Sequence, residues 1–349
     1  MTQWNESYFI RLRERVQKAG DRGIYVSIMF FEAWGIKWAK PGMDPWLYHP
    51  MHPDNNVNSI SDNPVVSNGR AWDFYSLNCP QLLYWQKEYI KKIIDTVNDL
   101  DNVLYEICNE VPYRREAMDW QDHVCEFAKE YEHTMPKRHP VGITTDADDP
   151  DNSGLFATHA DWISPGAGRL FEYRYNPPAA DGSKVILTDT DHLWGYGGET
   201  AWVWKSFTRG LNVLFMDPWE RIPGEADWYQ DGSVSRNQRY YYMWDPLRRN
   251  MGYARKFARR MDLNACVPRS ELCTSTFCLA DPGREYLCYF PAGGCEGLDL
   301  WDAKGTFAVE WFRPNTGVTV RGDDIEGENR HVMCAPFEGS AVLYVYKKD

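Results

Sequence analysis

The chain has 349 residues, 43% of them hydrophobic and 25% charged, which suits a folded protein of one large and one small domain and excludes a disordered chain. A formal charge of −12 repels phosphate backbones and argues against nucleic acid as a partner. No apolar run approaches the ~20 residues that a membrane span needs, so no membrane partner is expected.

The opening residues, Met1-Thr2-Gln3-Trp4-Asn5-Glu6, lack the basic start and apolar stretch of a signal peptide. A cytoplasmic location is expected, or a secreted one if the chain continues upstream of Met1. Residues 5–19 place Phe9, Leu12, Val16 and Ala19 at helical spacing, and Gly20 follows as a stop. Ile24 to Phe31 is a continuous apolar run of β-formers, predicting a strand buried on both faces. Glu32 to Asn78, rich in Asp, Asn, Pro and Trp, reads as a long loop. Its segment His52-Pro53-Asp54-Asn55-Asn56-Val57-Asn58 offers oxygen ligands without the spacing of a calcium loop.

Pro80 to Leu100 predicts a helix with Leu83, Ile90, Ile93, Ile94 and Val97 inward, Asn102 to Asn109 a strand, and Arg114 to Thr134 a second helix. Val141 to Thr145 and Asp161 to Ser164 are short strands, and Lys184 to Thr190 is a strong one. Thr200 to Arg209 reads as a helix, Leu211 to Met216 as the sixth strand, and Tyr240 to Met261 as a closing helix. The five arginines of that helix (Arg248, Arg249, Arg255, Arg259, Arg260) read as a solvated face paired with acidic surface. Strands alternating with helices predict a parallel sheet with helical crossovers.

After Pro268 helical periodicity stops. Short β-rich runs punctuated by Gly, Pro and Asp follow, at 276–279, 286–290, 297–300, 306–312, 317–320, 332–335 and 341–346, which is the pattern of a small antiparallel β-sandwich. The expected fold is therefore α/β: a TIM-type β/α barrel over residues 1–264 and a C-terminal sandwich over 265–349. A barrel of this type has eight strands, and six are visible here. With its first two strands missing, the sheet leaves an open side, and a homo-oligomer covering that side is the expectation.

Nine cysteines, with no Cys-x-x-Cys pair and no His spacing suited to zinc, give no sign of a metal site. No cofactor is expected. Five of them (Cys273, Cys278, Cys288, Cys295, Cys334) crowd the C-terminal region, where a disulfide could form, but free buried thiols in reducing surroundings are the preferred reading. The 16 Trp are many for this length. Indole faces stack on the apolar C–H faces of sugar rings as readily as they fill a core.

Chemistry concentrates at two strand ends. In Tyr105-Glu106-Ile107-Cys108-Asn109-Glu110 the residues Leu104, Glu106, Cys108 and Glu110 fall on one face by alternation. Val111-Pro112 then breaks the strand. In parallel β/α folds the C-terminal strand ends form the active site, so Glu110 is directed to the cleft. This hexapeptide resembles the fourth-strand motif of glycoside hydrolase clan A, the cellulase-like and β-xylosidase-like barrels. The resemblance implies Glu110 as general acid/base, Asn109 as the residue orienting the sugar, and Glu106 as a structural acid inside the barrel. It covers roughly residues 1–262. The C-terminal part resembles small β-domains that follow such barrels, some of them labelled collagen-binding.

The second strand end is Val185-Ile186-Leu187-Thr188-Asp189-Thr190-Asp191-His192-Leu193-Trp194. In the clan the seventh strand ends in a Glu nucleophile. Here the matching position is Asp189, one methylene shorter, and Asp191 two residues on is its rival; Glu32, Asp217 and Glu220 are the carboxylates left outside the segment. Cleavage of a glycosidic bond needs one proton delivered to the leaving oxygen and one negative group near the oxocarbenium-like centre. A carboxyl separation of about 5–5.5 Å would give retention, and about 6.5–9.5 Å inversion. Candidate sugar contacts are Glu32, Trp34, Asn109, His159, His192, Trp194, Asp217 and Trp219. The expected function is a retaining glycosidase acting on plant or microbial polysaccharide or oligosaccharide, with exo-action favoured because the long loop would close a pocket. The alternative is a non-catalytic carbohydrate-binding barrel that has lost its nucleophile.

Overall fold

The structure, a computed structural model, describes residues 3–34, 45–50, 52, 54–55, 72–111, 114–145, 151–195, 197–217 and 244–348. The chain forms two compact units, divided between Gly168 and Arg169. Among the described residues no helix is long and apolar enough to cross a membrane.

The first unit alternates helices with parallel strands. Helix α1 (Glu6–Gly20) leads into β1 (Val26–Glu32), then α2 (Pro80–Val97), β2 (Val103–Asn109), α3 (Arg115–Glu132), β3 (Val141–Thr144) and β4 (Trp162–Ser164). Strands β1 to β4 pair in chain order, all parallel, with Val26 opposite Val103 and Glu32 opposite Asn109 in the first pair. Of the residues the helical spacing marks, Phe9 and Val16 on α1 and Ile90, Ile93, Ile94 and Val97 on α2 are buried, whereas Leu12, Ala19 and Leu83 are half-buried and Leu82 and Gln86 take inward places on α2. Ion pairs from Arg13 to Asp99 and from Lys92 to Glu6 tie α1 to the α2 region at the surface. Gly142 is required where β3 passes under Trp162, because a Cβ there would lie 1.9 Å from the indole.

The N-terminal edge of this sheet is fixed by one buried carboxylate. Glu132 accepts from Asn98 Nδ2 at 2.7 Å, from the His139 backbone N–H at 2.7 Å and from the Tyr105 hydroxyl at 3.3 Å. His139 Nδ1 lies 2.7 Å from the same carboxylate, and its Nε2 lies 2.8 Å from the Leu100 carbonyl oxygen. Such a network satisfies a charge that would otherwise be costly in an apolar layer.

The second unit carries the remaining βα elements and all of the antiparallel structure. Strand β5 (Val185–Asp189) runs directly into the short helix α4 (Thr190–Trp194); α5 (Thr200–Thr208) and β6 (Asn212–Leu214) follow, and β6 is parallel to β5. Helix α6 (Asp245–Ala258) lies within the expected range 240–261, whose first four residues fall outside the described ones. Then come β7 (Val267–Pro268), β8 (Cys278–Asp281), β9 (Glu285–Phe290), β10 (Cys295–Asp299), β11 (Thr306–Arg313), β12 (Val318–Arg321), β13 (Ile325–Glu326), β14 (Arg330–Cys334) and β15 (Ala341–Lys347). The main antiparallel sheet has the order β12-β11-β15-β9-β8-β7, and β10 with β14 forms a separate ribbon.

Alternation along β11 explains the layering. Phe307, Val309 and Trp311 point into a core shared with Phe290 and Leu343 of the main sheet and Leu298 and Met333 of the ribbon. Phe312 points the other way, with Tyr289 and Tyr344, onto Trp204 of α5 and Phe257 of α6. The helices of this unit therefore pack on its antiparallel sheet. That is why compactness divides the chain at 168/169, whereas secondary structure changes class near 265. The expected α/β barrel-like scaffold followed by an antiparallel β region is what the chain adopts.

One cysteine expectation is corrected. Cys295 and Cys334, opposite each other across the β10–β14 ribbon, form a disulfide. The ribbon register brings the two Cα atoms to 4.0 Å, a neighbourhood invisible from a spacing of 39 residues. The seven remaining cysteines are free, and six of these are buried.

Candidate active site

In the first unit the parallel register places the C-terminal ends of β1 and β2 side by side. Asn109 Nδ2 donates to Glu32 at 3.2 Å, and Glu32 Oε1 also accepts from the Trp34 backbone N–H at 2.6 Å. The Tyr75 hydroxyl donates to the Glu32 carbonyl oxygen at 2.5 Å. Sequence reasoning missed Tyr75, which lies in the long loop and is buried to 1% exposure. Glu32, Trp34 and Asn109 thus meet as expected of neighbouring strand ends, with half of the Trp34 surface left in water.

Glu110 follows immediately and differs from all of these. It is only 6% exposed, and its backbone has φ +45°. A non-glycine residue in the left-handed region is strained, and such strain persists where the surrounding structure over-determines it, most often at functional sites. The strand ends at Asn109, so the left-handed step, rather than simple alternation, sets where the Glu110 side chain goes. Beneath it Glu106 is buried, with the Thr144 hydroxyl 3.2 Å from its carboxylate and 3.0 Å from the Cys108 carbonyl oxygen. Burial pushes the Cys108 thiol well up, and the Glu32 and Glu106 carboxylates add to that. Three acidic side chains, Glu32, Glu106 and Glu110, thus stand towards the C-terminal ends of β1 and β2.

In the second unit Asp189 closes β5 and serves as N-cap of α4, accepting from the Asp191 backbone N–H at 2.9 Å. Burial pushes its carboxyl up to about 6, with that hydrogen bond pulling the other way. Asp191 is also raised, first by burial, with Asp189 adding and His192 opposing. His192 is buried at 3% exposure on the same short helix. Thr190 Oγ1 accepts from the Met216 backbone N–H at 2.8 Å, joining the exits of β5 and β6. Two carboxyls within one turn, both inclined to hold protons, are a usual preparation for proton transfer near neutral pH.

Three sequence candidates stand elsewhere or in other company. His159 precedes β4 and so lies at the N-terminal end of that strand, where its ring contacts Asp122 of α3 at 2.9 Å and remains exposed. That end is opposite to the C-terminal strand ends that carry Asn109 and Glu110. Trp194 packs edge-on against Trp202 and Tyr175, at 5.9 and 6.4 Å between centroids, so part of its surface belongs to an aromatic cluster. Asp217, after β6, forms a two-pronged ion pair with Arg248, at 2.5 and 2.8 Å, and Arg248 also holds Asp245. Trp219 and Glu220 lie outside the described residues.

A scan against protein-family models returns no match, and a search of curated sequences returns none either. Solved structures do match. A glycoside hydrolase superposes with TM-score 0.54 at 13% identity over 75% of this chain and 69% of its own. A family 5 glycoside hydrolase from Bacteroides vulgatus ATCC 8482 gives 0.55 at 13% identity over 75% and 67%. A noncanonic maltogenic alpha-amylase from Thermotoga neapolitana gives 0.50 at 11% identity over 97% and 81%. At these identities the likeness establishes the fold, a glycosidase-like α/β barrel scaffold.

Proposed function

We propose that the protein is a glycoside hydrolase acting on plant or microbial polysaccharides or oligosaccharides, with Glu110 as the proton donor and an aspartate at the β5 end as its charged partner. The observation that carries this reading is Glu110 itself: a buried carboxyl, held at φ +45° at the C-terminal end of a parallel strand. A carboxyl at that strand end can deliver a proton to a leaving oxygen. The adjoining Asn109 amide, whose Nδ2 donates to Glu32, would hold a sugar hydroxyl.

Asp189 is the preferred partner. One of its oxygens caps α4, and the other would face an anomeric carbon. With its carboxyl at about 6, it is ionised at neutral pH and could attack in a retaining mechanism or orient water in an inverting one. Retention and cleavage from a chain end are the favoured forms. A second reading, a barrel that binds sugar without cleaving it, draws on the same residue, since Asp189 stands where the related barrels have Glu and works as a helix cap.

Hydrolysis of a panel of aryl-glycosides by wild type, Glu110→Gln, Asp189→Asn and Asp191→Asn decides between them. Turnover by the wild type that collapses in Glu110→Gln and in one aspartate variant supports the hydrolase. Turnover unchanged in Glu110→Gln overturns the assignment, and oligosaccharide binding without any turnover favours the binding barrel.

A further inference from the structure

The C-terminal end of the β10–β14 ribbon carries a large apolar group that the fold does not use. Trp301, just after β10, is 65% exposed. The turn that presents it is hydrogen-bonded on several sides. Its own N–H donates to Asp299 Oδ1 at 2.9 Å, and Leu300 N–H donates to the Asn329 carbonyl at 2.9 Å. Glu328 N–H reaches the carbonyls of both Leu300 and Ala303, at 3.0 and 2.7 Å, and Gly327 N–H reaches that of Gly305 at 2.8 Å. Gly327 approaches the turn so closely that a Cβ would lie 2.1 Å from the Ala303 oxygen, and Glu328 adopts φ +56° to complete the contact. The indole is thus offered to water by a strapped turn, at a conformational cost that a loose surface loop would not carry.

Its surroundings are polar and mostly acidic. Arg330 Nε pairs with Asp299 Oδ2 at 2.7 Å while remaining 79% exposed, and Asp302, Glu328 and Asn329 are also exposed. The exposed face of one indole is roughly 150 Å², far below the about 800 Å² per partner of a stable protein interface. Three carboxylates nearby, on a chain of charge −12, disfavour nucleic acid and anionic lipid. An exposed indole on a turn whose neighbours Asp299, Asp302 and Arg330 carry polar groups suits a neutral sugar ring, which has C–H faces and an equator of hydroxyls. We infer that Trp301, with Arg330 and Asp299, forms a glycan-binding platform on the C-terminal unit. It does not depend on whether the β2 and β5 strand ends hydrolyse anything.

Depletion of the full-length chain from solution by microcrystalline cellulose, insoluble xylan or granular starch tests the inference, with Glu110→Gln in every protein so that no polysaccharide is consumed. At least one of the three should deplete the Trp301-containing protein, Trp301→Ala should weaken that binding about tenfold, and Trp301→Phe should fall between. Melting temperatures of the three should agree; if Trp301→Ala melts lower, the Trp301→Phe comparison carries the test. No depletion by any of the three, or equal binding by the variants, overturns the platform. With Glu110 restored, Trp301→Ala should hydrolyse soluble aryl-glycosides like the wild type; a loss there would also overturn it by placing Trp301 in the hydrolytic site. A wild type that binds through Trp301 but hydrolyses nothing would refute the proposed function and leave the platform standing.

Discussion

Replacing Asp189 by Asn should make the protein more stable and less active at the same time. The carboxyl at the end of β5 is held mostly out of water, with one backbone hydrogen bond from Asp191 in return, and burial pushes it from 3.8 up to about 6. A folded-state value above the unfolded one means that the group favours folding fully when protonated, below about pH 4, and that this contribution is lost as pH rises through about 6. Above that pH the buried charge costs about 3 kcal/mol, taking about 1.4 kcal/mol per pH unit of displacement. Asn has the same shape, caps a helix equally well and carries no charge, so the variant escapes that cost. Thermal melts should show Asp189→Asn a few degrees above wild type at about pH 8, with the gap closing towards about pH 4. Turnover on aryl-glycosides at neutral pH should meanwhile collapse, because the variant has no charged oxygen to offer. A variant no more stable at about pH 8, or equally stabilised at both pH values, would show that the fold does not hold this carboxylate against its preference.

Further expectations follow from other residues. Glu110→Gln should lower kcat by roughly 10²–10⁴ on glycosides with poor leaving groups and far less on activated ones, which need no proton; equal losses on both would refute its role as acid. Wild-type turnover should decline as pH falls through about 6, where Asp189 takes up its proton; a pH profile flat across that range would point away from Asp189. Replacing Cys295 and Cys334 by Ser opens a loop of 39 residues and should destabilise the second unit by about 4 kcal/mol, read as a lower denaturant midpoint. Glu132→Gln should cost about 3–5 kcal/mol, because His139 and three further donors converge on that buried carboxylate. Burial lowers His139, but its bonds to Glu132 and to the Leu100 carbonyl raise it overall. The Glu132 pairing therefore stabilises fully below about pH 6.5 and fades as pH rises through the raised value. Urea titrations of wild type and variant across that range would measure the difference.

The elements of the fold were legible because period and punctuation agree in this chain. Ile90, Ile93, Ile94 and Val97 repeat at helical spacing and all are buried; the apolar run ending at Phe31 becomes a strand paired along one edge with β2. Alternation along 306–312 separates Phe307 and Trp311 from Phe312, onto opposite faces of one sheet. The division into compact units was not legible. It depends on Trp204 and Phe257 packing on Phe312 and Tyr344, a choice of partners that no local pattern encodes. The same holds for the disulfide: five cysteines in one region admit many pairings, and only the β10–β14 register selects Cys295 with Cys334.

At the candidate site, strand direction separates what sequence could place from what it could not. Asn109 and Glu110 are bound to one strand end by covalent geometry, so a motif is enough to locate them. Glu32 meets Asn109 because parallel pairing sets residue 32 opposite residue 109, which the two strand predictions together nearly imply. His159 precedes β4 and so stands at the N-terminal end of that strand; what sequence did not show is its neighbour there, the Asp122 carboxylate of α3. What the motif could not give is the conformation of Glu110. Alternation alone would continue an extended strand and present an unstrained carboxyl. The φ of +45° instead requires the chain to hold Glu110 where few side chains rest willingly. If that strain serves catalysis, Glu110→Gly should relieve it and stabilise the fold while removing the acid, whereas Glu110→Gln keeps the strain and removes only the proton. A structural turn that merely tolerates Glu would show the first effect without any loss of turnover in either variant.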